Sequence, residues 1–177
     1  MGVAVTVERV DRGEPFRDSG NASLVVGKQV TSIVRQATEA KLFPLVLGGS
    51  CDVSKFILSG FAHRQCGVVW CDAHGDFNTP ETTTSGYFDG MSLAVITGHC
   101  YRSYWRQIGN STPIFEAATL MLGVRDLDPA EKECLERSAV QVVKWHEGKP
   151  QEDVRVALDK LAQRVHRKFI SISIWTA

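Results

Sequence analysis

The sequence has 177 residues, is 44% hydrophobic and 23% charged, and balances 20 Lys+Arg against 20 Asp+Glu. That length supports a well-buried core, and zero net charge removes any electrostatic reason to bind nucleic acid or an anionic membrane, leaving a small neutral or zwitterionic ligand as the better match. Five scattered cysteines (Cys51, Cys66, Cys71, Cys100, Cys134) form no C-x-x-C pair, the N-terminus lacks a signal-peptide core, and no stretch nears the ~20 apolar residues of a membrane span, so a cytoplasmic chain is expected.

One domain over residues 1–177 is expected, its first 20 residues poorly defined. Val30, Ile33, Val34, Ala37 and Ala40 recur at helical spacing and predict a helix from Gly27 to Leu42, ended by Pro44. Leu45-Val46-Leu47 before Gly48-Gly49 predicts a buried strand opening into a tight loop, with a helix to follow over about Val53 to Ala62. Cys66 to Cys71 is apolar throughout and predicts a strand covered on both faces. The polar stretch from Asp72 to Asp89 is too long for a plain connection and reads as a functional loop.

Ala118 to Val124 predicts a third strand. Asp128-Pro129 then marks a helix start, with that helix running to about Ser138. Val140 to Trp145 predicts a fourth strand, Gln151 to Arg167 a helix, and Phe169 to Trp175 a fifth strand. Alternating strands and helices predict an α/β fold, a mainly parallel sheet between helical layers.

Asp72, His74 and Asp76 follow a predicted strand at positions i, i+2 and i+4. In an extended segment such residues share a face, with roughly 6.5–7 Å between successive side chains. A site of oxygens and one imidazole suits a hard or borderline divalent ion such as Mn²⁺. The same residues would equally serve as two loop-capping aspartates and a surface histidine; the strand-end position favours a site, because ligands of such folds bind beyond the carboxyl ends of the strands.

The longer string Trp70-Cys71-Asp72-Ala73-His74-Gly75-Asp76-Phe77-Asn78-Thr79-Pro80 through Gly86 resembles the central signature of the arginase/agmatinase (ureohydrolase) superfamily, and its Asn-Thr-Pro continuation is similar to arginases. Leu47-Gly48-Gly49 and Gly123-Val124-Arg125-Asp126-Leu127-Asp128-Pro129-Ala130-Glu131 resemble two further family segments, in the family's order. The resemblance implies a three-layer α-β-α fold, lacking its C-terminal strands, and a site for two Mn²⁺ ions. Asp72 would bridge the ions, with His74 on one and Asp76 on the other. It further implies that Asn78 and Ser85 hold a substrate α-carboxylate, that Asp128 reads its α-amino group, and that the reaction is hydrolysis of a guanidino or amidino C–N bond.

Three segments depart from the family pattern. Cys51 stands where Gly-Gly-Asp-His-Ser places a metal-binding histidine; a thiolate there favours zinc over manganese, and an inert buried thiol is the other reading. Asp89 stands where the family has a proton-shuttling histidine and would shuttle only with a raised pKa. Ser173 and Trp175 stand where Ser-x-Asp-x-Asp supplies two carboxylates. At most one weakly held ion is therefore expected, with hydrolysis impaired.

The alternative is a non-catalytic binding or oligomer-interface protein that keeps the scaffold. Self-association is expected from a free apolar edge at Ile170, Ile172 and Ile174. His63, His99, His146 and His166 read as surface or satisfied structural residues. Ser50, Ser54 and Ser59 form no Gly-x-Ser-x-Gly elbow, and Gly48-Gly49 lacks the rest of a phosphate loop.

Overall fold

A computed structural model describes residues 4–11, 13, 16–61, 66–109, 112–143, 150–165 and 169–173. In chain order these form α1 (Ser19–Glu39), α2 (Val53–Gly60), β1 (Gly67–Cys71), α3 (Ser92–Thr97), α4 (Arg102–Ile108), β2 (Thr119–Leu122), α5 (Pro129–Arg137), β3 (Gln141–Val143), α6 (Pro150–Arg164) and β4 (Phe169–Ser173). Short 3₁₀ turns at Asp89–Met91 and Glu116–Ala118 lead into α3 and β2.

The strands form a parallel sheet in the order β3-β2-β1-β4, so β1 is paired on both sides. Its alternating side chains explain the unbroken apolar run. Val68 and Trp70 pack into a core with α1, α2, α3 and α4, whereas Val69 packs with Leu120 beneath Ala157, Leu161 and Val165 of α6 and its end. A strand with helices over both faces has no solvent face to make polar. The result is the three-layer arrangement expected from the sequence, with all strand carboxyl ends at one edge.

Several element boundaries differ from the sequence reading. The first helix begins at Ser19, two turns before Gly27, because the Asp18 side chain caps it by accepting from the Asn21 N–H at 2.7 Å. Its apolar face starts later than its backbone does, and periodicity marks only the face. The strand expected at Leu45–Leu47 does not form: the segment is irregular, with Leu45 76% and Leu47 90% exposed. No described strand pairs with it, and of its three residues Val46 alone packs against the core. Between the long loop and β2 lie α3 and α4, which the sequence reading passes over; six and seven residues are too few for a clear helical period.

Candidate metal centre

The chain leaves β1 at Cys71, and the Asp72 N–H donates to the Leu122 carbonyl at 3.1 Å, the last rung joining β1 to the end of β2. The Ala73 carbonyl then accepts from the N–H groups of Arg125 and Asp126 at 2.9 and 3.0 Å, tying the loop to the neighbouring strand end. Gly75 lies against Glu131, whose Oε1 would stand 2.5 Å from a Cβ built there, so no larger residue fits without displacement. The same Oε1 accepts the Phe77 N–H at 2.8 Å.

Asp76 adopts φ +47°, a left-handed conformation that Asp tolerates better than most residues. Its carbonyl accepts from Leu93 and Ala94 at 2.8 and 3.1 Å, pinning the turn to the start of α3. The expectation of an extended segment with three ligands on one face is therefore corrected. A bend at Ala73-His74 and the reversal at Asp76 bring Asp72 and Asp76 together and set His74 at the rim beside Asp72.

Cys51 Sγ and one carboxylate oxygen from each of Asp72 and Asp76 lie within 4.8 Å of one another. Both aspartates are 5% exposed. Asp72 Oδ1 accepts the His74 N–H at 3.0 Å, but Oδ2 of Asp72 and Oδ2 of Asp76 are buried with no hydrogen-bond partner. Burial, then the Asp72 charge, pushes Asp76 up to about 8 despite a hydrogen bond with Cys51. Burial and the Asp76 charge push the Cys51 thiol far up as well. Raised in this way, Asp76 and the Cys51 thiol hold their protons more tightly unless a cation replaces them. Two buried carboxylates gathered with a thiol, each with one oxygen left without a partner, fit one divalent ion, since buried acceptors otherwise lack compensation.

His74 sits at the rim, its side chain 47% exposed, with Nδ1 3.4 Å from Asp72 Oδ1 and Nε2 3.9 Å from Asp126 Oδ2. Asp89 heads the 3₁₀ turn and accepts from the Ser50 hydroxyl at 2.5 Å, which links it to the Cys51 loop. Asn78 is buried and donates Nδ2 to Asp128 Oδ2 at 3.0 Å, while Thr82 Oγ1 donates to Asn78 Oδ1 at 2.9 Å. Asp128 also caps α5 and receives the Thr84 hydroxyl at 3.4 Å. Ser85 is exposed, its hydroxyl accepting the Tyr87 N–H at 3.1 Å.

Parallel pairing sets Ser173 of β4 opposite Cys71, at the same strand end as the cluster. Trp175 lies outside the described residues, as do His63, His146 and His166. His99 pairs with Glu116 at 2.7 Å and meets the Phe77 ring edge-on at 4.8 Å.

Two residues that sequence reasoning missed also shape the site. Glu131 is buried and receives the Phe77 and Asp128 N–H groups at 2.8 and 3.3 Å, joining the metal-side loop to the start of α5. Lys55 is 0% exposed, pairs with Asp52, and holds its ammonium 3.8 Å from the centre of the Phe88 ring. Burial pulls it down to about 7, against the charges of Asp89, Cys100, Asp76 and Cys51 that favour its proton. The available signal was one lysine inside the otherwise uncharged Val53–Gly60 segment.

The sequence model of the arginase family matches residues 5–174. The chain belongs to the arginase family. It is 33% identical to arginase of Bacillus subtilis over 147 residues, 82% of this chain and 49% of the relative. It is 35% identical to that of Bacillus caldovelox over 147 residues, 78% of this chain and 49% of the relative. The chain thus spans about half the length of the curated relatives it matches.

Among solved structures, Bacillus subtilis arginase superposes with a TM-score of 0.75 at 34% identity, covering 82% of this chain and 52% of that one. Entamoeba histolytica arginase, solved with L-ornithine, superposes with a TM-score of 0.76 over 88% of this chain and 56% of that one; at 20% identity it supports the arginase fold alone. Among the described residues no helix is long and apolar enough to cross a membrane.

Proposed function

We propose that Cys51, Asp72 and Asp76 hold one divalent cation, and that this chain is a single arginase-like domain. Its ancestral reaction is hydrolysis of a guanidino or amidino C–N bond in an amino-acid-like molecule. The observation that carries this reading is the gathering of the Cys51 thiol with two buried carboxylates, each of which also has an oxygen without a hydrogen-bond partner. A bound ion would supply Lewis acidity and lower the pKa of its water. Mn²⁺ is the ion implied by the family resemblance, and the sulfur of Cys51 moves the preference toward zinc.

The other residues act on the substrate. Asn78 and Asp128 set an amide donor beside a carboxylate acceptor at the loop's edge, an arrangement suited to the carboxylate and ammonium of a zwitterion. Ser85 adds a hydroxyl on the exposed side. Asp89, holding the Ser50 hydroxyl, is the nearest equivalent of a proton carrier. His74 at the rim is placed to complete the ion's coordination by a side-chain rotation. We place the protein in the cytoplasm and expect it to self-associate through the β4 edge, where one side of the strand carries no partner among the described residues.

A second reading, a binding protein that no longer hydrolyses, is favoured by Ser173. It stands in register with Cys71 at the site's edge, where the family pattern calls for a carboxylate. Calorimetry of metal-loaded chain with L-arginine and L-ornithine, beside a urea-release assay, tests both. The expected result is amino-acid binding weakened by Asp128→Asn and Asn78→Ala, without urea. Manganese-dependent urea release at family-like rates would refute impairment; no amino-acid binding by metal-loaded chain would refute the substrate class.

A further inference from the structure

Asn78 is buried, so the polar atoms of its amide need partners inside the protein. Nδ2 donates to Asp128 Oδ2 at 3.0 Å, and Oδ1 accepts the Thr82 hydroxyl at 2.9 Å. The first contact dictates the second. A carboxylate accepts and does not donate, so the amide nitrogen must face Asp128; Oδ1 then faces Thr82, whose hydroxyl must be the donor.

Thr82 is held so that it can donate. Its Oγ1 accepts the Thr79 N–H at 2.8 Å, which leaves the hydroxyl proton for Asn78; the Thr79 carbonyl, at 3.4 Å, is the more distant acceptor. The N–H groups of Thr82 and Thr83 donate to that carbonyl at 3.1 and 2.9 Å, closing a turn over Pro80 and Glu81. The Thr79 hydroxyl adds a bond to Glu81 Oε2 at 2.7 Å. A turn closed by its own bonds thus presents one hydroxyl proton to one amide oxygen.

The result is a chain of three bonds, from the Thr79 N–H to Thr82, from Thr82 to Asn78, and from Asn78 to Asp128. An amide nitrogen carries two protons. Asp128 takes one, and the other serves a ligand's carboxylate. Without the Thr82 hydroxyl, Oδ1 becomes a buried acceptor lacking a donor, and the amide is free to turn away from the geometry that serves the ligand.

We propose that Thr82 is a positioning residue that sets ligand selectivity: it holds the Asn78 amide nitrogen beside Asp128, so that the pair prefers a molecule carrying a carboxylate next to its amino group over one with the amino group alone. The inference rests on the amino-acid reading above, and its test separates the two. L-arginine, and agmatine as its counterpart without the carboxylate, are titrated calorimetrically into the metal-loaded full chain and into its Thr82→Val and Thr82→Ser variants, with circular dichroism to verify folding.

Thr82→Val keeps the shape and removes the hydroxyl. It is expected to weaken L-arginine about tenfold, the scale of one buried acceptor left bare, and to leave agmatine within about twofold. Thr82→Ser restores the hydroxyl and the preference. In an Asn78→Ala background, Thr82→Val is expected to change L-arginine binding no further, because its effect passes through the amide. If Thr82→Val fails to fold, Thr82→Ala carries the same expectations.

Unchanged L-arginine affinity in folded Thr82→Val, or an equal loss for both probes, overturns the role of Thr82 and leaves the amino-acid reading standing. A full loss that persists in the Asn78→Ala background also overturns it, since Thr82 would then act on the loop alone. No L-arginine binding by the original chain, or equal affinity for the two probes, overturns the selectivity of the pair and the role of Thr82 with it.

Discussion

The two loops that form the metal centre are built differently. The Asp72–Asn78 loop grows from a strand paired on both sides and is tied down by the Ala73 carbonyl, by Glu131 and by the start of α3. The Leu42–Asp52 segment brings Cys51 to the same place from an irregular stretch with Phe43, Leu45 and Leu47 exposed. It is anchored by the Ser50–Asp89 bond and by the turn into α2. The comparison teaches that apolar composition alone does not make a strand. β1 and Leu45–Leu47 read alike, and the difference lies in the strand partners that, among the described residues, β1 has and Leu45–Leu47 lacks.

If the first loop is the rigid half of the site, removing its ligands has the largest effect. Asp72→Ala should cost more than about a hundredfold in Zn²⁺ affinity, beyond the 10–100-fold typical of changes outside the coordination shell. Cys51→Ser, on the second loop, should cost less and shift the preference from Zn²⁺ toward Mn²⁺, because a hydroxyl is the harder ligand. Calorimetry with both ions reads this; equal losses and an unchanged preference would erase the distinction between the two loops.

Stability sharpens the same contrast. Gly75→Ala drives a Cβ against Glu131 and should destabilise the fold by about 1–3 kcal/mol, the range for overpacking. Leu45→Ser, on the exposed segment, should stay within about 0.5 kcal/mol. Urea denaturation of the two variants gives both numbers. A large loss for Leu45→Ser would mean that the segment is covered after all.

A smaller effect comes from Lys55. Its folded pKa of about 7 lies below the ordinary 10.5, so between these values the unfolded chain binds a proton that the folded chain does not. The cost of burying the ammonium is present in full below pH 7 and is relieved as pH rises above it. The difference between the original chain and Lys55→Met reads the burial of the ammonium together with its coupling to Asp89, Cys100, Asp76 and Cys51. In a chelator, the stability advantage of Lys55→Met should shrink from pH 7 to pH 9; a constant difference would place the ammonium in water.

Much of this was legible from the residues. β1 and β2 announced themselves because helices cover both their faces, and Asp128-Pro129 marked the start of α5 with its own chemistry. Asp72 and Asp76 stood out as ligands by type and by position after a strand. Their route to convergence was not legible, because the positive φ of Asp76 is imposed by contacts with α3 that spacing cannot show. His74 was read as a third ligand by type and position, and the bend sets its imidazole at the rim, 3.4 Å from Asp72 Oδ1. Lys55 was hidden by the rule that lysines face water; its partners come from the Cys51 loop and the Phe88 turn.

X-ray absorption spectroscopy of the Zn²⁺-loaded chain, alone and with Cys51→Ser, tests the shared site most directly. The account predicts one sulfur neighbour at about 2.3 Å together with oxygen neighbours, and loss of that sulfur in the variant. A first shell of nitrogen and oxygen only, identical in both proteins, would place the ion elsewhere and contradict the Cys51–Asp72–Asp76 centre.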